Sequence, residues 1–212
     1  MSATKKQPKP MIVGRPVLLV IDIQKGCFLP RRATTTLDLM DDSATRYRRA
    51  RVLVDAARRN GVPVVFVQEA HRRDHIDFGR ELDGAENVHC VEGEPGTEFA
   101  VEEMGMLPDD YRITKRRYSC FFGTDLEILL RGLKAETLIM VGGFTDVCVH
   151  YSFVDGHQSD YHCRVVEDCV SGSSDAAHAA ALTAMEYLQA GALRHSDEIV
   201  AGFDAFGAAR AA

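Results

Sequence analysis

Residues 137–148 read TLIMVGGFTDVC: an apolar run, a glycine pair, and a thiol twelve residues in. Thr137 to Val141 is the most apolar run of strand type in the chain, so it is read as the central strand. The residues from about Cys148 to Asp160 carry a helical pattern. The stretch is therefore a strand that passes through a tight turn into a helix, with the thiol at the junction. Working outward, Val17 to Ile23 (VLLVIDI) reads as a second buried strand and Pro63 to Gln68 (PVVFVQ) as a third. Tyr111 to Lys115 is a weaker one, and Arg164 to Glu167 follows the helix. Between them lie helical patterns. Ser43 to Asn60 reads as a helix with apolar residues at Tyr47, Val52, Leu53 and Ala56, ending before Gly61. Thr124 with Glu127 forms a capping box opening a helix that carries Leu126, Leu129, Leu130 and Leu133. A last helix starts near Ser174 and runs through Ala181, Met185 and Leu188 to a cap at Gly191.

Strands alternating with helices predict an α/β fold: three layers, α/β/α, around a doubly wound, mainly parallel, Rossmann-like sheet. Right-handed crossovers put the C-terminal ends of all parallel strands on one rim, where ligands bind. The expected organisation is a flexible tail over residues 1–12 and a single domain over 13–212. The stretch from Glu69 to Asp110 has little periodicity and is long for a connection, which marks it as a functional loop.

Composition narrows the classes. Apolar residues make up 46 % of the 212, charged residues 26 %, and the net charge is -6, with both signs interleaved. This describes a globular protein without the basic footprint of a nucleic-acid or anionic-membrane binder. No apolar run approaches the roughly 20 residues that span a bilayer. The six cysteines are irregularly spaced, lack a CxxC pair and follow no export signal, so they are expected as free thiols in a cytoplasmic protein. Cys27, Cys90, Cys120, Cys163 and Cys169 read as small apolar core residues.

Three polar residues fall at strand ends: Asp22 after VLLVI, Lys115 after YRIT, and Cys148 past TLIMVGG. A shared parallel sheet brings them to one rim, as an acid, a cation and a nucleophile. Cysteine attacks as the thiolate, and the start of a helix and a nearby ammonium are both expected to lower its pKa.

The segments LLVIDIQKGCF, KRRYSCFFGTDLEILLRGL and VGGFTDVCVHYSFVDGHQSDYHCRVVEDC resemble the isochorismatase-like cysteine hydrolases, which include nicotinamidases, N-carbamoylsarcosine amidohydrolase, ureidoacrylate amidohydrolase and biuret hydrolase. The three motifs come in family order over about residues 17 to 170. The resemblance implies a catalytic triad of Asp22, Lys115 and Cys148. Asp22 would take the thiol proton, Cys148 would attack the amide carbon, and Lys115 would bridge them. It also implies a cis peptide between Gly143 and Phe144, aiming the backbone N–H groups of Phe144 and Cys148 as an oxyanion hole. The implied reaction is hydrolysis of a C–N bond in a small amide or ureide through a thioester, releasing ammonia or an amine. A homodimer or homotetramer is implied too, for which Phe203 and Phe206 are candidate interface residues.

A second constellation, QEAHRRDHIDF and NVHCVEGEPGTEF, matches the stretch that supplies a metal site in nicotinamidases. The matching positions are Glu69, His71 and His89, with Glu in place of Asp. Two roles stay open: a divalent-metal site, or hydrogen bonding of Glu69 and His71 to substrate or loop. The second needs no cofactor and is the reading adopted. The pocket is expected to be walled by Phe28, Glu69, His71, Phe122 and Tyr151. An anionic substrate would need a placed arginine, for which Arg72, Arg116 and Arg117 are candidates, and a neutral or weakly charged amide or ureide is favoured. Two other activities compete: hydrolysis of a vinyl ether by a true isochorismatase, whose members typically lack the cysteine, and a non-catalytic domain of the same fold.

Overall fold

The computed structural model describes residues 7–30 and 40–211. Six strands form one sheet: β1 (Pro16–Ile21), β2 (Val64–Glu69), β3 (Tyr111–Lys115), β4 (Thr137–Gly143), β5 (His162–Ser171) and β6 (Leu193–Arg194). Every pairing is parallel and the order is β3-β2-β1-β4-β5-β6. The expected mainly parallel sheet is thus parallel throughout. Its helices are α1 (Ser43–Arg59), α2 (Val101–Met104), α3 (Leu126–Leu133), α4 (His150–Gln158), α5 (Asp175–Leu188) and α6 (Ser196–Ala211).

All residues of β1, β2 and β4 are buried, because a parallel sheet covered on both faces needs apolar side chains in both directions. Alternation sorts them into two cores. Val17, Leu19 and Ile21 join Leu138 and Met140 on the face covered by α3, α4 and α5, through Leu126, Phe153 and Met185. Leu18 and Val20 join Ile139 and Val141 on the face covered by α1 and α6, through Leu53, Val54, Ile199 and Phe203.

The chain moves from β1 to β2 in one direction and from β4 to β5 in the other, so the order reverses between β1 and β4. That reversal opens a crevice at the strands' C-terminal ends. The two strands close tightly beneath it. Gly142 sits at φ +116, and a Cβ there would lie 1.9 Å from the Ile21 carbonyl oxygen, so only glycine fits.

Several expectations change. Of the tail expected over 1–12, residues 1–6 lie outside the described residues; at its other end Arg164, itself buried, donates to the carbonyls of Pro10 and Met11, and Met11 and Ile12 pack on the core. Phe203 is fully buried against the chain's own core, so it is not an interface residue, and Phe206 is half-buried against the same core. Thr124 makes no capping box. Asp125 precedes the helix, while Thr124 Oγ1 accepts from Leu126 N at 3.2 Å and donates to Cys120 O at 2.5 Å. The β5 strand runs longer than expected, because an irregularity opposite Met140–Gly142 lets it pass through Glu167 and Asp168. No helix among the described residues is long and apolar enough to cross a membrane.

Candidate active site

Asp22 follows β1 directly, in a left-handed conformation (φ 53) secured by its N–H to Val67 O at 3.0 Å. Glu69 closes β2, and Lys115 closes β3 in register with it. Past β4, a π-type turn over Thr145–Val149 carries Cys148 into the crevice, and α4 continues from it. The Gly143–Phe144 peptide that leads into this turn is cis. The turn is pinned from α5 and the segment before it. Thr145 Oγ1 lies 2.8 Å from His178 Nδ1, and Asp146 accepts from Ser173 N and Oγ at 2.9 and 2.6 Å.

These elements place four side chains in contact. Lys115 Nζ lies 2.8 Å from Asp22 Oδ2, in contact with Glu69 Oε2, and 3.4 Å from Cys148 Sγ. Cys148 Sγ lies 3.7 Å from Glu69 Oε2. Reactive atoms of Asp22, Glu69 and Cys148 are all within 4.8 Å of one another. Lys115 is wholly buried, and a buried ammonium persists only when paired.

Burial and partners set the proton affinities. Burial pushes Asp22 up to about 6, against the pull of Lys115 and with a further rise from Glu69. Burial also works against the Glu69 anion, yet Lys115, the nearby His71 ring and a hydrogen bond from His89 hold it well below the usual carboxylate range. Burial alone would lower Lys115, but Asp22, Cys148 and Glu69 hold it well above its ordinary value. The Cys148 thiol is held well above its ordinary value by burial and by the two carboxylates, outweighing Lys115. This corrects the expectation of a resting thiolate: desolvation penalises the charged form more than one shared ammonium favours it.

The cavity above this cluster is about 820 Å³ including its open mouth. Its floor is Asp22, Glu69, Cys148 and the Gly143–Phe144 peptide; its walls include Gln24, Tyr47, Thr97, Tyr118 and Val147. Gln24 ties floor to wall, donating to Glu69 O at 3.0 Å and Thr97 O at 2.6 Å. Of the five expected wall residues, only Glu69 lines the cavity. Phe28 ends a short turn (Lys25–Phe28) and packs toward α1 under Arg48. Phe122 is 65 % exposed on the surface, and Tyr151 is exposed and stacked on the outside of Tyr118. His71 lies fully buried behind Glu69, stacked on Phe78. Arg72, Arg116 and Arg117 do not reach the cavity either. Arg72 lies by Asp74, Arg116 pairs with Asp77 and Glu92, and Arg117 donates to Asp77 O. Tyr47, Tyr118 and Gln24 escaped the sequence reading, because an aromatic on an amphipathic helix and a polar residue in a turn give no direction.

His89 Nε2 donates to Glu69 Oε1 at 2.9 Å, and His71 Nε2 lies 3.6 Å from that oxygen and 3.2 Å from Glu81 Oε2. Burial would lower His71, but Glu69 and Glu81 bring it up to about 9. Glu69, His71, Glu81 and His89 are all buried, with one ligand atom from each within 4.8 Å of the others. Two imidazoles and two carboxylates suit a zinc-type ion by donor chemistry, and Glu81 is a member the sequence did not offer. Within the cluster His89 is hydrogen-bonded to Glu69, whereas the ring nitrogens of His71 and both carboxylate oxygens of Glu81 are buried without a hydrogen-bond partner among the described residues.

Comparison with known proteins places this architecture. The family described as Isochorismatase domain matches residues 16–197. The isochorismatase family protein YwoC of Bacillus subtilis is 30 % identical over 167 residues, covering 78 % of this chain and 82 % of its own length. Ureidoacrylate amidohydrolase RutB of Stutzerimonas stutzeri is 27 % identical over 183 residues, covering 77 % and 73 %. Among solved structures, N-carbamoylsarcosine amidase from Thermoplasma acidophilum superimposes with a TM-score of 0.72 at 27 % identity, over 87 % of this chain and 98 % of the other.

Proposed function

The chain belongs to the isochorismatase family of hydrolases, and on that premise we propose that it cleaves the C–N bond of a small amide or ureide with Cys148 as nucleophile. The observation that carries this reading is the position of Lys115 Nζ, 2.8 Å from the Asp22 carboxylate and 3.4 Å from the Cys148 sulfur, at the floor of an open cavity. Relatives named for ureidoacrylate and N-carbamoylsarcosine hydrolysis support the same bond type.

In this mechanism Asp22 accepts the Cys148 proton as the sulfur attacks the carbonyl carbon. The thiol pKa lies well above that of Asp22, so transfer ahead of attack is uphill by about 1.4 kcal/mol per unit of difference. It completes only as the sulfur lone pair enters the C–S bond. Lys115 keeps its charge throughout and offsets the negative charge passing between sulfur and carboxylate. The carbonyl oxygen becomes an oxyanion facing the N–H groups of Phe144 and Cys148, a donor pair of which each member is typically worth about 10²–10³ in rate. As the C–N bond breaks, Asp22 returns the proton to the leaving nitrogen. Water then enters and Asp22 removes its proton as the hydroxide attacks the thioester. The C–S bond breaks, the carboxylic acid leaves, and the released sulfur takes the proton back from Asp22, restoring the thiol and the ionised carboxylate. Glu69, already ion-paired, holds Lys115 in place.

A metal would be held by Glu69, His71, Glu81 and His89, where it would supply Lewis-acid character at the cavity wall. The steps above route nothing through it.

The test is ammonia or amine release from a panel of small amides and ureides, for the wild type and Cys148→Ala. Release by the wild type alone supports the reading. Equal release by the variant overturns it.

A further inference from the structure

The main-chain ladder between β1 and β2 ends one rung short of the site. Leu18 N donates to Pro63 O and Asp22 N to Val67 O, so the next rung in register would join residue 24 to Glu69. Asp22, in its left-handed conformation, turns the chain out of the sheet before that rung. The main chain of residues 24–26 pairs with residues 96–99 instead. Lys25 N donates to Glu98 O at 2.8 Å and Gly26 N to Gly96 O at 2.9 Å, with an antiparallel bridge between Gln24 and Phe99. This pairing brings Gly96 and Thr97 to the cavity wall, farther along the same loop as Glu86 and Glu94. The missing rung is made by a side chain. Gln24 Nε2 donates to Glu69 O at 3.0 Å, and Gln24 Oε1 accepts from Glu69 N at 3.2 Å. The second Nε2 hydrogen goes to Thr97 O at 2.6 Å. A glutamine amide has two donors and one carbonyl, so both donors are used inside the protein. On the other edge of β2, Glu69 is in register with Lys115, and Ala70 N donates to Lys115 O at 3.1 Å.

Resting on the hydrolase reading above, we propose that Gln24 is a positioning residue for this reaction: it replaces the missing rung, fixes Glu69, and through Glu69 holds Lys115 against Asp22 and Cys148. The Lys115 ammonium ends a long, flexible side chain, and its contacts with Glu69 Oε2 and Asp22 Oδ2 aim it. Its effect on the sulfur 3.4 Å away weakens as that distance grows. A misplacement of about 1 Å, caused away from the chemistry, can cost about 10²-fold in rate. Gln24 lines the cavity, where an amide also suits a substrate contact. Its buried amide, with both donors committed to Glu69 and Thr97, assigns it to the support of the floor instead. The two roles differ in kinetics: a substrate contact acts on KM, and a positioning residue acts on kcat.

Two variants of the full-length protein test this. Gln24→Met keeps the length and removes the hydrogen bonds, and Gln24→Asn keeps the amide but shortens its reach by one methylene. Gln68→Met is the control, because Gln68 donates to the same Thr97 carbonyl at 2.5 Å without bonding Glu69 through its side chain. Folding is checked by circular dichroism, and rates are expressed per folded protein. On a hydrolysed amide, kcat is expected to fall about 10- to 100-fold in the Gln24 variants, with KM within about threefold of the wild type. Gln68→Met is expected to keep kcat within about threefold. An unchanged kcat in a folded Gln24 variant, a loss confined to KM, or an equal loss in Gln68→Met overturns the proposal. The second measurement needs no turnover: alkylation of Cys148 by iodoacetamide near neutral pH, followed by peptide mass spectrometry. Its rate is expected to drop several-fold in the Gln24 variants and to hold in Gln68→Met. Equal rates in all of them overturn the proposal. If alkylation slows as expected while the wild type hydrolyses no amide, the positioning role stands and the hydrolase reading falls.

Discussion

Lys115 Nζ and Asp22 Oδ2 stand 2.8 Å apart at the point where the strand order reverses, although their strands are not neighbours in the sheet. Lys115 reaches there from β3 by passing Glu69 at the end of β2, so one buried cation serves two carboxylates. Those carboxylates respond in opposite ways: Asp22 is raised to about 6 and Glu69 is held down. In the proposed mechanism these two chemically similar groups serve as base and fixed counter-ion.

The first consequence is a pH profile. Asp22 must be ionised to accept the thiol proton, and its pKa in the folded protein is raised by burial, so kcat/KM rises with pH through about 6 and then levels. Below that point the rate falls about tenfold per pH unit. Initial rates between pH 4.5 and 8 on any hydrolysed amide check this. A profile flat through pH 6 contradicts the role of Asp22.

Glu69 contributes to that raised value, because its negative charge beside Asp22 opposes a second one. Glu69→Gln removes the charge and leaves Lys115 to Asp22. The acid limb of the profile then moves to lower pH, opposite to what simple loss of the ammonium's support would give. The same titration, repeated on the variant, reads the direction.

The close approach of β1 and β4 gives a stability prediction. Gly142→Ala sets a Cβ against the Ile21 carbonyl at a φ that L-residues rarely adopt. The cost is roughly 3 kcal/mol, which for a chain of this size lowers Tm by roughly 6–12 °C. Thermal unfolding followed by circular dichroism measures it, and a Tm within 2 °C or so of the wild type would contradict the packing described.

How far the sequence could be read follows from what positions each residue. Asp22, Lys115 and Cys148 were legible because each ends or follows an apolar run on a shared rim and because the three segments around them resemble the family's motifs; strand-end position alone reads equally as a cap or a solvated cation. Glu69 was offered by the resemblance of QEAHRRDHIDF to a nicotinamidase stretch, and it reaches the cavity because β2 runs one position farther than the expected strand and ends on it. Phe28, Phe122 and Tyr151 were misplaced because a ring next to a strand end or in a turn gives no direction, and it is packing that turns these three away from the cavity. Glu81, Glu86 and Glu94 lie in the stretch without periodicity, whose path is set by single bridges such as His71 to Val91, and no local pattern encodes those. The α6 helix was missed because Gly202 and Gly207 interrupt it and few of its residues are buried, so it lacks a marked apolar face. The raised thiol pKa of Cys148 depends on burial and on a second carboxylate, and neither is visible one residue at a time.

The central claim is that Cys148 forms a covalent thioester, and the most direct test is to trap it. Turnover of a hydrolysed amide or ureide is quenched in acid, and intact-protein and peptide masses are recorded. The account predicts an added mass equal to the acyl group, located on Cys148, released by hydroxylamine and absent from Cys148→Ala. Continued turnover with no acyl mass on Cys148, together with undiminished activity in Cys148→Ala, would contradict it.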